Sequence, residues 1–180
     1  SADSDKCISC EGGKYQETEG QGFCKSCAGG TKRGAGDAAG SASSCIVCAA
    51  GKYSGAQASA CIECVAGRYV AATGSNAASD CVPCGAGKYV AVSGSDQASD
   101  CIACAAGTYV AATGSSAASD CIACAAGKYV TASGSTAASA CIDCNEGRYG
   151  TVAGDGQGYC KVCVSGSTTN TGGCKKCVKG

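Results

Sequence analysis

Cysteine is the residue of this chain whose type and spacing could do chemistry. Twenty cysteines stand in 180 residues, and all fall into ten Cys-x-x-Cys pairs: 7/10, 24/27, 45/48, 61/64, 81/84, 101/104, 121/124, 141/144, 160/163 and 174/177. Three chemistries use such pairs: a redox-active dithiol, a four-thiolate zinc site and a structural disulfide framework. No histidine is present, so the commonest general base and the commonest metal-ligating side chain are both missing. The expectation is a protein that is not an enzyme, with no catalytic residues, no cofactor-binding residues and no cofactor.

The pairs are placed by an internal repeat. First cysteines are separated by 17, 21 and 16 residues, then by 20 four times, then by 19 and 14. The regular copies begin at Cys61, Cys81, Cys101 and Cys121, and Cys141-Ile-Asp-Cys144 opens a fifth. A unit this short cannot bury a core alone and must be held by covalent bonds and by its neighbours. Three segments of one continuous rod follow: divergent N-terminal repeats over 1–60, four regular repeats running into a fifth over 61–144, and divergent C-terminal repeats over 145–180.

Glycine stands three residues after the second cysteine in every pair, from Gly13, Gly30, Gly51, Gly67 and Gly87 through Gly107, Gly127, Gly147 and Gly166 to Gly180. A turn with positive φ accounts for this placement. Two residues later comes Tyr15, Tyr53, Tyr69, Tyr89, Tyr109, Tyr129 or Tyr149, with Lys32 and Thr168 as exceptions. We read tyrosine as the large side chain that covers a disulfide and packs on the next unit, the alternative being a stacking platform for sugars or bases. The run from Tyr69 to Thr73 predicts a strand that ends at the Gly74-Ser75 turn, as at Gly94, Gly114 and Gly134. Ser75 is placed to cap one helical turn over Asn76, Ala77 and Ala78.

Composition sets the class. Cysteine at this density marks a disulfide scaffold from an oxidising compartment, extracellular or cell-surface. One Phe, no Trp and no Met leave little for an ordinary core. Fourteen basic residues balance fourteen acidic ones, so no net charge favours nucleic acid or an anionic membrane. No apolar run is long enough to span a bilayer, no charged-then-apolar leader precedes the repeats, and a start at Ser1 suggests a processed product or a segment. No N-glycosylation sequon is present; the Thr-Gly-Ser and Ser-Gly-Ser turns are candidates for O-linked sugars, making the chain a candidate glycoprotein.

Symmetry prunes the cysteine connectivity. Joining neighbouring pairs two by two, as five zinc sites would, should show as a period of 40, whereas the repeat is 20. The schemes with a period of 20 are bonds inside each Cys-x-x-Cys, bonds from the second cysteine forward to the next pair, and the longer converse. Internal bonds have the geometry of redox centres and staple nothing across units. We favour the forward scheme, in which each bond closes its own loop: Cys10 to Cys24, Cys27 to Cys45, Cys48 to Cys61, Cys64 to Cys81, Cys84 to Cys101, Cys104 to Cys121, Cys124 to Cys141, Cys144 to Cys160 and Cys163 to Cys174. It leaves Cys7 and Cys177 for bonds between molecules or to flanking repeats of a longer chain.

The string Cys-x-x-Cys-x-x-Gly-x-Tyr resembles the ephrin-receptor-like cysteine-rich repeats of extracellular proteins, including protist surface proteins such as ciliate immobilisation antigens. It is also similar to the simplest loop module of tumour-necrosis-factor-receptor ectodomains, where a forward disulfide is the implied pairing. Those families usually place Pro after the second cysteine, where this chain has Val65, Gly85, Ala105 and Ala125. The resemblance implies an elongated, disulfide-laddered extracellular rod. The fold class expected is thus a small disulfide-rich repeat protein, a ladder of Cys-x-x-Cys units with short β-hairpins and little helix.

The function expected is a structural rod in a coat, stalk or extracellular filament, with copies of itself or flanking repeats as partners, no nucleic acid and no direct membrane insertion. The alternatives are a receptor or adhesin ectodomain, whose specific contacts would sit at 24–44 or 145–180, and a multi-zinc protein. A ladder of ion pairs is also expected, from Lys52, Arg68, Lys88, Lys128 and Arg148 to Asp80, Asp100 and Asp120.

Overall fold

The computed structural model describes residues 10–18, 22–37, 40–145, 148–149 and 159–162. Among these, sixteen strands of two residues are joined two by two into eight two-stranded sheets, and the only helical pieces are five 3-10 turns of three residues. Among the described residues no helix is long and apolar enough to cross a membrane. The fold is a small disulfide-rich repeat ladder built of short hairpins.

Each hairpin joins one repeat to the next. Lys52–Tyr53 pairs antiparallel with Ile62–Glu63, with Tyr53 opposite Ile62 and Lys52 opposite Glu63. Thr108–Tyr109 with Ile122–Ala123 and Lys128–Tyr129 with Ile142–Asp143 repeat the register. The turn before the first strand of a hairpin is made by the glycine after the cysteine pair. Gly51, Gly87 and Gly107 have φ of 80°, 79° and 83°, and Gly13, Gly30, Gly67 and Gly127 are alike. A side chain at such φ is penalised, so glycine belongs there. Gly147, Gly166 and Gly180 lie outside the described residues.

The strand expected over Tyr69 to Thr73 stops at Tyr69. Its next residue turns its backbone to other repeats: the Val70 N–H donates to Ser95 O at 3.1 Å, and Val70 O accepts from the Gly51 N–H at 2.8 Å. The helical turn is also displaced. It covers Ala78–Asp80, not 76–78, and Ser75 does not cap it. The Asp80 carboxylate instead accepts the N–H groups of Asn76 and Ala77 at 2.9 and 3.0 Å, and Asp120 does the same for Ser116 and Ala117. The acid at the end of the turn holds its start. Ser75 is buried, its hydroxyl donating to Ala72 O at 3.3 Å.

The chain forms two compact units, one of Ser1–Val82 with Ser93–Ala98, the other of Pro83–Val92 with Ser99–Gly180. In the first, Gly51 N–H donates to Val70 O, Val70 N–H to Ser95 O, Cys64 N–H to Gly51 O and Gly94 N–H to Cys64 O, at 2.8 to 3.1 Å. In the second, the same four bonds run from Gly87 to Val110, Val90 to Ser115, Cys104 to Gly87 and Gly114 to Cys84, at 2.8 to 3.1 Å. Shifted by 20 residues they recur as Gly107 to Val130, Val110 to Ser135, Cys124 to Gly107 and Gly134 to Cys104. Backbone amides that two-residue strands leave unpaired are thus satisfied by the neighbouring repeats.

Candidate functional site

The sulfur ladder is the centre of each repeat. Sulfur bonds join Cys10 to Cys24, Cys27 to Cys45, Cys48 to Cys61, Cys64 to Cys81, Cys84 to Cys101, Cys104 to Cys121, Cys124 to Cys141 and Cys144 to Cys160, with Cα atoms 5.7 to 5.8 Å apart. Sulfurs so joined have no thiolate to offer a metal or a redox substrate. Cys7, Cys163, Cys174 and Cys177 lie outside the described residues.

Both ends of the ladder bonds reach the interior: Cys64, Cys84 and Cys104, second in their pairs, have no exposed surface, and Cys81, Cys101, Cys141 and Cys160, first in theirs, are buried as well. Around the Cys64–Cys81 bond pack Val70 and, from the preceding repeat, Tyr53. Tyr109 covers the Cys124–Cys141 bond and Val130 in the same way. Tyr15, Tyr69, Tyr89, Tyr129 and Tyr149 share the half-buried state of Tyr53 and Tyr109. In Tyr53 and Tyr109 the ring is thus committed to packing over a sulfur bond.

Two buried columns escaped the reading from sequence. The residue after tyrosine is Val70, Val90, Val110 or Val130 in the regular repeats, and each is at most 6% exposed. The serine after the turn glycine, Ser75, Ser95, Ser115 or Ser135, is buried as well. Their identity in all four regular repeats was the available signal.

The divergent repeat at 24–44 places Arg33 in the valine column, and its side chain is wholly buried. Its guanidinium donates to Cys10 O at 2.7 Å, Glu11 O at 2.6 Å, Asp37 O at 2.5 Å and Lys14 O. Arg33 thus ties three carbonyls of the preceding repeat to that of Asp37 in its own. It is no exposed anchor for a ligand. Ser54 fills the same column in the next repeat, donating to Thr31 O at 2.9 Å.

The expected ladder of ion pairs is drawn differently. Lys52 reaches Glu63 at 3.1 Å and Lys128 reaches Asp143 at 2.8 Å, each to the residue before the second cysteine across the hairpin. Arg68 donates to Cys81 O at 2.8 Å and Arg148 to Cys160 O at 3.5 Å. Asp80 and Asp120 spend their oxygens on the backbone of their own turns, as described above. The cause is register, because the hairpin sets basic residues opposite the inner residues of the next pair and not opposite the acid before it.

Glu63 joins three successive repeats. It takes Lys52 from one side and the Ser93 hydroxyl at 3.0 Å from the other. The hydrogen bond from Lys52, then that from Ser93, holds its carboxyl below the usual range. Lys25, hydrogen-bonded to Glu17, is held above the ordinary lysine value by that bond.

The hairpins of both compact units carry exposed apolar residues. Ile62, Ile102, Ile122 and Ile142 are 52 to 54% exposed, and Ile46 and Val82 follow them. Phe23, beside the Arg33 repeat, is exposed as well. Among the described residues no three metal-ligating side chains converge.

No curated protein matches the chain. The family model described as tyrosine-protein kinase ephrin type A/B receptor-like matches residues 1–45, 51–101, 77–121 and 87–141. These spans cover well over half the sequence and fall on the repeats whose hairpins and sulfur bonds are set out above. The chain therefore belongs to the ephrin type A/B receptor-like family of cysteine-rich repeats.

Proposed function

We propose that this protein is a structural extracellular element, a disulfide-stapled rod used in a cell-surface coat, stalk or extracellular filament. What carries the reading is the recurrence of one hydrogen-bond set and one disulfide at a 20-residue interval. A constant relation between neighbours is the physical basis of a solenoid whose length follows repeat number. Eight disulfides suit an oxidising compartment.

Its partners under this reading are copies of the same chain or flanking repeats, reached through Cys7 and Cys177. The test is dimensional. Excising 101–120 should shorten the maximum dimension in small-angle scattering by the same increment that duplicating it adds. A maximum dimension insensitive to repeat number would overturn the rod.

A ligand-binding ectodomain is the second reading, favoured by the apolar row at Ile102, Ile122 and Ile142. Changing all three to Ser leaves cell-surface adhesion unaltered if the protein is only structural, and abolishes it if the row is a binding face.

A further inference from the structure

We infer that the turns of the regular repeats are acceptors for O-linked sugar, modified at Thr73, Thr113 and Ser133, with Ser93 a poor acceptor. The inference rests on the extracellular part of the proposed function. Each turn reads hydroxyl, glycine, serine: Thr73-Gly74-Ser75, Ser93-Gly94-Ser95, Thr113-Gly114-Ser115 and Ser133-Gly134-Ser135. The two hydroxyls of a turn have opposite fates. Thr73, Ser93, Thr113 and Ser133 are exposed, whereas Ser75, Ser95, Ser115 and Ser135 are at most 9% exposed.

The buried serine and the glycine fix the turn that presents the outer hydroxyl. Ser75 Oγ donates to Ala72 O and Ser135 Oγ to Ala132 O, while Gly74 and Gly134 donate their N–H to Cys48 O and Cys104 O at 2.8 Å. Glycine at φ of 72° to 75° makes the bend. The outer hydroxyl is therefore held outward by a fixed backbone, preceded in sequence by alanine or valine.

Among the described residues, the hydroxyls of Thr73, Thr113 and Ser133 make no hydrogen bond to protein. Ser93 differs because its Oγ donates to Glu63 at 3.0 Å. Beside Thr113 lies an open depression of about 630 Å³, whose lining includes Ala111, Ala112, Ser116 and Ser119. Small side chains and hydroxyls there give a sugar ring room and partners.

In the transfer, the threonine or serine oxygen attacks the anomeric carbon of a nucleotide-activated N-acetylhexosamine. The bond from that carbon to the nucleoside diphosphate breaks, the diphosphate leaves with the electron pair, and the hydroxyl proton passes to the transferase's base.

The experiment incubates the oxidised full chain with a secretory-pathway membrane extract and UDP-N-acetylgalactosamine, then maps additions by electron-transfer mass spectrometry. The expected result is sugar on Thr73, Thr113 and Ser133, at least several-fold less on Ser93, and none on the four buried serines. Glu63→Ala should raise Ser93 to the level of Ser133, and reduction of the disulfides should open the buried serines. A bare oxidised chain, or sugar spread equally over exposed and buried hydroxyls, would overturn the inference. Neither outcome bears on the rod, whose dimensional test needs no sugar; free thiols in native material would remove the compartment and leave the acceptor geometry standing.

Discussion

A methyl group on Gly51 would sit 2.1 Å from the carbonyl oxygen of Gly94, two repeats further along the chain, and one on Gly87 would sit 2.2 Å from that of Gly134. Both glycines also hold positive φ. Gly51→Ala and Gly87→Ala each combine left-handed strain of about 1–2 kcal/mol with a backbone clash, so a loss above about 2 kcal/mol is expected in denaturant unfolding. Gly85→Ala is the control: its added Cβ meets nothing within 4 Å, and it should be neutral or slightly stabilising. Gln57, at φ 62°, occupies a site where Gly74 and Gly94 stand in regular repeats. Arg33→Met should cost roughly 2–4 kcal/mol, because four backbone carbonyls lose their donor. Hydrogen exchange over residues 10–37 would report the loss directly. The glycine turns were legible from spacing because only one residue type suits that backbone. Arg33 was not, because a basic residue in a divergent repeat looks like any solvated cation. Its meaning lies in the column, which holds valine wherever the repeat is regular.

The unit of structure at the next scale is the hairpin with its sulfur bond. Replacing Cys64 and Cys81 together by Ala opens a loop with a sequence separation of 17 and should cost roughly 3 kcal/mol in the chain-entropy account. Unfolding should begin in that hairpin and its neighbours, since each repeat rests on adjoining ones. The Glu63 bridge gives a pH dependence of known sign. A carboxyl held below its unfolded value contributes stability above the unfolded pKa, about 4.3 for glutamate, and loses it as pH falls through the folded value. The Lys52 and Ser93 hydrogen bonds are the cause, so Glu63→Gln should flatten that part of the acid unfolding curve, and an NMR titration of Glu63 should shift upward in Ser93→Ala. An unchanged titration would remove the bridge from the account. Hairpins could be read from the cysteine and glycine spacing. Strand length could not, because Val70 gives both backbone groups to other repeats, a long-range choice that local propensity does not encode. The 3-10 turn was misplaced for a similar reason: the helper was Asp80 reaching back, not Ser75 reaching forward.

At the scale of the molecule, the two compact units are built on the same rule, which is why a single 20-residue period describes so much of the chain. Half-buried tyrosine, buried valine and sealed sulfur take the place of an oil-drop core. Reduction should therefore unfold the protein without any further denaturant, visible as loss of near-ultraviolet tyrosine signal. The period was legible because each repeat makes the same contacts as the last. Which sulfur pairs with which was narrowed by symmetry, not by count, since only schemes with a period of 20 keep every hairpin equivalent.

The forward sulfur ladder is the central claim, and mass-spectrometric mapping of unreduced protein, with free thiols alkylated first, tests it most directly. Peptides linking Cys64 to Cys81, Cys84 to Cys101 and Cys104 to Cys121 are the predicted result, with a Cys177-to-Cys7 peptide if copies join end to end. Bonds confined within each Cys-x-x-Cys, or twenty cysteines that all alkylate after chelation, would contradict it.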